Sequence, residues 1–272
     1  MSLQNVGPVV LVGAGQMGMA MAIGWLDAGL ASDQLILVDP KPSEPVKAIA
    51  EQKSLSILER PPSNPAQVLV LAVKPQVAAA VLVSAKMCVG PDTLALSVMA
   101  GIGAEQMSSA LGCNRIVRTI PNTPAKIGKG AIGAFASAGV DASDRDVVNA
   151  LLAASGQTIW VENESDIDSV TGLSGSGPAY VFNMVEAMAK AGEAQGLPAV
   201  VAMKLARQTI IGAAALMDAE PDVSAATLRE NVTSPNGTTY AALQILMGDE
   251  GLSPLMERAV TAARERSEEL GA

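Results

Sequence analysis

Six short, mostly apolar runs alternate with helix-length segments over the first part of the chain. Apolar residues follow one another in these runs instead of alternating with polar ones, which indicates strands buried on both faces and therefore a parallel sheet. Strand, helix and strand repeated in this order predict a doubly wound α/β domain. The runs are residues 9–12, 35–38, 68–73, 94–98, 116–120 and 131–136, and the helical segments are 16–29, 44–53, 76–87, 103–111 and 143–155.

The strand pattern ends near residue 161, and helices are predicted over residues 178–196, 198–219 and 253–270. The first of these has one narrow polar stripe, and the second is apolar over even more of its surface. Helices that are apolar nearly all round need cover on every side, and a small helical domain cannot supply it from its own interior. We therefore expect two domains, residues 1–163 and 164–272, with the second covered by helices from another subunit.

The composition excludes several classes of protein. The 18 Lys and Arg residues against 27 Asp and Glu give a net charge of −9, and aromatic residues are few. A nucleic-acid or anionic-membrane surface is therefore not expected. Histidine is absent, which removes Ser-His-Asp and Cys-His nucleophilic sites and leaves no histidine to bind a metal. We expect no metal site.

Cysteine usage points to a cytoplasmic protein. Cys88 and Cys113 are far apart and in no metal-ligand spacing, which is typical of reduced structural thiols.

The apolar stretch 8–30 is interrupted by polar residues and five glycines, so we do not expect it to span a membrane. The first basic residue is Lys41, so a secretory signal is not expected either.

A glycine-rich segment directly follows the first apolar run and opens a helix: Gly13-Ala14-Gly15-Gln16-Met17-Gly18. In this pattern the first glycine allows a tight turn, the second admits a pyrophosphate, and the third lets the helix pack on the strand. The N–H groups at the helix start then hold the phosphates. The context of strand and helix predicts a dinucleotide site in a Rossmann domain, and a glycine-rich turn without a ligand is the alternative.

Asp39 directly follows the second run. An acidic residue here usually binds the ribose hydroxyls and favours NADH, whereas nearby Lys41 could pair with a 2′-phosphate and favour NADPH. A simple turn residue before Pro40 is equally consistent with the sequence. The residues leave NADPH and NADH both open.

Two further segments follow predicted strands and should reach the same edge of the sheet, where ligands of open parallel sheets bind. Val73-Lys74-Pro75 stands at the carboxyl end of the third run, and the turn 118–124 contains Asn122. A solvated lysine and a rigid turn are the plain alternatives.

In the helical half, two loops of small and hydroxyl residues precede helices. One is Ser174-Gly175-Ser176-Gly177-Pro178, and the other runs over residues 233–239. Open N–H groups at such helix starts can hold a carboxylate, although ordinary capping uses the same residues. Together the loops suggest a pocket for a small anionic substrate.

These segments, with residues 168–180 and 228–239, resemble the pyrroline-5-carboxylate reductase family over about residues 8–270. The resemblance implies a Rossmann domain followed by a helical domain that forms a homodimer, often within decamers. It implies reduction of 1-pyrroline-5-carboxylate to L-proline by NADPH or NADH, the last step of proline biosynthesis. The imino-acid substrate is the expected small-molecule partner.

The resemblance also implies roles for individual residues. Thr239 matches the threonine that hydrogen-bonds the substrate ring nitrogen and is the catalytic candidate. The substrate would be bound by Ser174, Ser176, Gly237, Thr238 and Thr239. The cofactor would be bound by Gly13, Gly15, Gln16, Met17, Gly18, Asp39, Val73, Lys74, Pro75, Asn122 and Thr171.

The chain departs from the family pattern in two informative places. Asn236 stands where the first glycine of a Gly-Gly pair is common, and Asn tolerates left-handed dihedral angles. The region of Asp39 lacks the small-polar-plus-Arg or Ser pair that is typical of strongly NADPH-selective members.

Three other functions are weighed against this one. A β-hydroxyacid dehydrogenase needs a lysine early in the first helix of the second domain, and residues 178–189 contain none. A reductase of a related cyclic imine would use the same motifs. A non-catalytic NAD(P)-binding protein would need the nucleotide loop but neither of the two anion loops.

Overall fold

The computed structural model describes residues 3–271, which form two compact units. The first unit consists of two segments, the chain up to Ser176 and the residues from Ala263 onward, and the second unit is Gly177–Ala262. This division lies later than the boundary predicted between residues 163 and 164, which stays a prediction. Residues 1, 2 and 272, at the outer ends of the two predicted domains, lie outside the described range.

The first unit is built on one sheet of eight strands within the described residues. The strands are β1 (Val9–Val12), β2 (Leu35–Val38), β3 (Ser56–Leu58), β4 (Val68–Leu71), β5 (Leu94–Ser97), β6 (Ile116–Ile120), β7 (Gly130–Ala136) and β8 (Gly156–Val161). Their spatial order is β3-β2-β1-β4-β5-β6-β7-β8. All neighbours pair in parallel except β6 and β7, which are antiparallel. The predicted doubly wound fold is confirmed, and the expectation of a wholly parallel sheet is wrong at this one pair.

Burial explains which strands the sequence reveals. Every residue of β1, β4, β5 and β6 is buried, as their apolar runs predict. The two strands that the sequence did not predict lie at the sheet edges. There β3 is short and largely exposed, and β8 alternates between half-buried and exposed residues.

Helices of the first unit cover both faces of this sheet. They are α1 (Gln16–Asp27), α2 (Glu44–Gln52), α3 (Ala78–Ala85), α4 (Ala104–Leu111), α5 (Ala142–Leu152) and α6 (Asp166–Val170). One core cluster contains Trp25 of α1 and Leu151 of α5, and the other contains Leu82 of α3 and Met107 of α4. The indole Nε1 of Trp25 donates to the Leu151 carbonyl at 2.6 Å, which fastens α1 to α5.

The end of the chain completes the first unit. The remaining helices are α7 (Gly177–Ala194), α8 (Ala199–Ala219), α9 (Ala225–Asn231), α10 (Thr238–Leu246) and α11 (Leu252–Gly271). Near the end of α11, the Ser267 hydroxyl donates to Asp168 Oδ1 at 2.7 Å. Gly101 has a φ of +71°, and a Cβ there would lie 3.0 Å from the carbonyl oxygen of Leu270. The last turns of α11 thus pack tightly on the first unit.

The second unit leaves its apolar side chains largely uncovered within one chain. Of the described residues in α7 and α8, only Ala189, Ala202 and Ala206 are buried, while Phe182 is 62% exposed and Val200 67%. By length and composition α8 is the one described helix that could cross a membrane, a test that core helices of soluble proteins also pass.

Burial of the cysteines predicts a change in stability at high pH. Burial raises the pKa of the Cys88 thiol from 9.0 to about 11. Between these values the unfolded chain has lost the proton that the folded chain keeps, so the free energy of unfolding falls as pH rises through this range. We expect Cys88→Ala to flatten the fall by up to about 1.4 kcal/mol per pH unit, measured by denaturant unfolding under reducing conditions from pH 8 to 11.

The matched control is Ser84→Ala, which removes no ionisable group from the adjoining helix α3 and should keep the slope of the unsubstituted protein. Equal slopes for that protein and Cys88→Ala would contradict the prediction.

Candidate functional site

The glycine-rich segment forms the turn between β1 and α1. Gly13 has a φ of +102°, and a Cβ there would lie 2.5 Å from the carbonyl oxygen of Ala72. Its N–H donates to the carbonyl of Val38 at 2.9 Å. A side chain is excluded here because the turn is pressed between the carboxyl ends of β2 and β4.

Gly15 and Gly18 have opposite surroundings. A Cβ on Gly18 would lie 2.1 Å from the carbonyl oxygen of Gly13, whereas a Cβ on Gly15 would meet nothing within 4 Å among the described residues. Gly15 precedes α1, and no side chain caps that helix start. Gly18 therefore lets the helix approach the turn, and Gly15 leaves open space in front of free N–H groups. Gln16 and Met17 form the first turn behind this space, which fits a dinucleotide diphosphate.

Asp39 lies between the end of β2 and this turn. Its Oδ2 accepts a hydrogen bond from the Ala14 N–H at 3.2 Å, and its Oδ1 accepts one from the Lys41 N–H at 2.9 Å. Asp39 borders an open pocket of about 560 Å³. Its predicted contact with the ribose stays a prediction, and its contact with the nucleotide turn was not foreseen.

Val73, Lys74 and Pro75 follow β4 at the same edge of the sheet. A Cβ on Gly13 would lie 2.9 Å from Cγ1 of Val73, so Val73 borders the nucleotide turn directly. Lys74 and Pro75 are exposed beyond it. The structure thus brings Val73 to the turn and leaves the two following residues at the rim.

Asn122 is buried, and both ends of its amide bind the protein. Its Oδ1 accepts from the Ala131 N–H and its Nδ2 donates to the Ser174 carbonyl, both at 3.0 Å. These bonds join the end of β6 to β7 and to the segment after α6. Asn122 therefore positions its surroundings, and a direct contact with the cofactor stays a prediction.

A π-helical turn over Thr171–Gly175 follows α6. The Thr171 hydroxyl donates to the Ile167 carbonyl at 2.9 Å, and the Ser174 hydroxyl donates to the Val170 carbonyl at 3.0 Å. The Ser176 N–H donates to the Thr171 carbonyl at 2.9 Å. Single π turns inside helices often mark functional sites, and this one holds three of the predicted residues close together.

The other predicted substrate residues lie in the second unit. Gly237 precedes α10, and Thr238 and Thr239 begin it with no side-chain cap. Asn236 has a φ of 57°, so it adopts the left-handed conformation that the sequence comparison with a glycine pair predicts. The Gly237 N–H donates to the Ser234 carbonyl at 3.0 Å. The loop is thus a closed turn in front of a helix start.

Sequence reasoning missed an ion pair behind the π turn. Arg118 of β6 is buried, and its Nη1 lies 2.5 Å from Glu164 Oε1. The same carboxylate oxygen accepts from the Ala104 N–H at 2.7 Å, at the start of α4. Glu164 precedes α6 and therefore fastens it to the sheet. No periodicity predicts this, because the two partners are far apart in the chain.

Lys126 was also missed. Its Nζ donates to Oε1 of Gln16 at 3.1 Å, which brings a positive charge beside the start of α1. Lys126 belongs to the turn after β6, and it fits no sequence motif. Only the packing of that turn beside the glycine-rich segment could reveal it.

Comparison with known proteins covers nearly the whole chain. The profile described as "Pyrroline-5-carboxylate reductase dimerisation" matches residues 164–270, and "NADP oxidoreductase coenzyme F420-dependent" matches residues 8–101. A pyrroline-5-carboxylate reductase of Pseudomonas aeruginosa is 39% identical over 96% of this chain and 96% of its own.

Solved structures give the same result. A pyrroline-5-carboxylate reductase of Coxiella burnetii is similar with a TM-score of 0.91 and 33% identity, covering 98% of this chain and 100% of its own. The pyrroline carboxylate reductase of Plasmodium falciparum, solved with NADP bound, has a TM-score of 0.78 and 27% identity, with 99% of each chain covered.

Exchanging single glycines of the turn should separate binding from folding. We expect Gly18→Ala to lower the free energy of unfolding by about 1–3 kcal/mol or more, because its Cβ would collide with the turn. Gly15→Ala has room and an ordinary φ of −72°, so its stability should change by no more than about 0.5 kcal/mol. Its dinucleotide affinity should fall at least about tenfold, because the methyl group fills the diphosphate space. Thermal unfolding and nucleotide titration measure both effects, and unchanged affinity in Gly15→Ala would contradict this assignment of the turn.

Proposed function

The chain belongs to the pyrroline-5-carboxylate reductase family, and on that premise we propose that it reduces 1-pyrroline-5-carboxylate to L-proline with NADPH or NADH, the last step of proline biosynthesis. The observation that carries the proposal is the open space at Gly15 before an uncapped helix, in a chain whose helical half matches the family over residues 164–270. The turn fits the cofactor because a Cβ on Gly15 would meet no described atom within 4 Å, and this open space lies in front of the free N–H groups of α1.

When bound, the reduced nicotinamide supplies a hydride to the imine carbon, and the ring nitrogen keeps the electron pair of the former double bond. The imine nitrogen can enter already protonated, so the chain need not donate a proton from a strong acid. This agrees with the absence of histidine. The chain contributes alignment and an anion site.

The proposal gives the substrate residues the roles that the family resemblance implies. The N–H groups of Thr238 and Thr239 would hold the carboxylate, because a helix start favours negative charge. Gly237, whose own N–H donates to the Ser234 carbonyl, would border the carboxylate. The Thr239 hydroxyl would orient the ring nitrogen. Ser174 and Ser176 would line the substrate, and Thr171 would lie beside the nicotinamide.

We extend the proposal to the assembly. The uncovered apolar residues of α7 and α8 support a homodimer through the C-terminal helices, since exposed apolar surface of this extent marks an interface. An apolar cavity of about 350 Å³ lined by Val181, Phe182, Met203 and Ile211, among others, belongs to this surface. A decamer built from such dimers and a cytoplasmic location belong to the same proposal.

The test is oxidation of NADH and of NADPH at 340 nm by the purified protein with pyrroline-5-carboxylate. Turnover with either cofactor supports the reductase. Binding of a cofactor without turnover would overturn it, and turnover of a larger cyclic imine alone would favour the related cyclic-imine reductase.

Thr239 can be tested with an isosteric change. Thr239→Val removes the hydroxyl, and a hydrogen bond to a charged group contributes about 1.5–3 kcal/mol, so kcat/KM for the imine should fall about 10–100-fold. Cofactor affinity should not change. Thr158→Val is the matched control, because Thr158 lies on β8 in the first unit, and its kcat/KM should equal that of the unsubstituted enzyme. Full activity of Thr239→Val would remove Thr239 from the site.

A further inference from the structure

The position of the Asp39 carboxylate is fixed by the backbone around it. Its two oxygens accept from the N–H groups of Ala14 and Lys41, and its own N–H donates to the Leu58 carbonyl at 2.9 Å. Backbone donors cannot turn away as a side chain can. The negative charge therefore stays in this place whichever nucleotide enters.

This charge stands beside the diphosphate space. Ala14, which binds Oδ2, is the residue directly before Gly15. A ribose joined to a diphosphate at Gly15 must pass close to Asp39. A carboxylate has about four acceptor positions, of which the two N–H groups take two, so it can still accept from two ribose hydroxyls.

The pocket around Asp39 offers a 2′-phosphate no net positive charge. Its charged lining residues are Asp39, Glu59, Lys41 and Lys47, and the Lys47 ammonium is paired with Glu44 at 2.7 Å. Two positive and three negative groups leave one negative charge. A 2′-phosphate would add about 1.5–2 more.

Arginine is missing from the residues that line this pocket. A planar guanidinium is the group that binds a phosphate most specifically, through two parallel hydrogen bonds. Of the two lysines that line this pocket, Lys41 has no ion-pair partner among the described residues, and a flexible ammonium beside Asp39 is a poor substitute for a guanidinium.

We infer that this chain uses NADH in preference to NADPH, and that the fixed carboxylate of Asp39 sets the preference by accepting the ribose hydroxyls and repelling a 2′-phosphate. The inference rests on the proposed function, which requires a nicotinamide dinucleotide but not a particular one. A preference for NADH would distinguish this chain from the Plasmodium falciparum relative that was solved with NADP bound.

Direct binding tests the inference without turnover. The full-length protein is titrated with NADH and with NADPH by fluorescence or calorimetry. We expect NADH to bind at least about tenfold more tightly, equal to about 1.4 kcal/mol. Equal affinities, tighter binding of NADPH, or no binding of either nucleotide would overturn the inference.

Three substitutions assign the preference to Asp39. Asp39→Ser should remove most of the difference by weakening NADH and strengthening NADPH, and Asp39→Asn should strengthen NADPH while keeping an acceptor for one N–H group. Lys41→Ala should weaken NADPH alone. Asp33→Asn is the charge-matched control, because Asp33 is exposed and lies before β2, and it should leave the ratio unchanged. If Asp33→Asn changed the ratio of NADH to NADPH affinity as much as Asp39→Asn does, the role of Asp39 would be overturned.

The outcomes for the two proposals are distinct. Turnover of pyrroline-5-carboxylate with NADPH preferred would keep the proposed function and overturn the cofactor preference. Tighter binding of NADH without turnover would do the reverse. Thermal unfolding of each variant separates loss of binding from loss of the fold.

Discussion

The first unit depends on the lack of space between β1 and α1. The carbonyl oxygen of Gly13 occupies the place where Gly18 would carry a side chain, and the Ala72 carbonyl occupies the place beside Gly13. This contact brings the start of α1 to the carboxyl ends of the central strands. The free N–H groups, the Asp39 carboxylate and the Val73 side chain share one edge of the sheet as a consequence. The nucleotide site is therefore a product of backbone packing more than of side-chain chemistry.

A second set of contacts holds the π turn against the same sheet. Asn122 binds the Ser174 carbonyl, and Glu164 binds both Arg118 and the start of α4. These bonds cross from strands to a segment that follows them by dozens of residues. Thr171 and Ser174 use their hydroxyl protons within the helix, so their oxygen lone pairs remain the groups that can face a ligand. The segment behaves as part of the sheet's edge, although its sequence belongs to the helical half.

The sequence predicted most accurately what local physics determines. The ends of β1, β2 and β6 agree with the predicted runs, because strands buried on both faces leave a mostly apolar pattern. The edge strand β3 and the alternating β8 leave no such pattern, and the antiparallel direction of β7 depends on pairing with β6 alone. Within the site, the glycine spacing was sufficient to identify the turn. The contacts of Asn122, Glu164 and Lys126 were not predictable, since each joins residues that only the tertiary fold brings together.

The return of α11 to the first unit affects how this chain can be made. Ser267 bonds to Asp168, and Leu270 packs on Gly101, so part of the nucleotide-binding unit is encoded far downstream of its sheet. During synthesis the sheet and its glycine turn can form early, since domains generally fold as units from the N-terminal end. The surface around Gly101 nevertheless stays unfinished until α11 has left the ribosome. An incomplete product would thus carry a defect in the unit that was translated first.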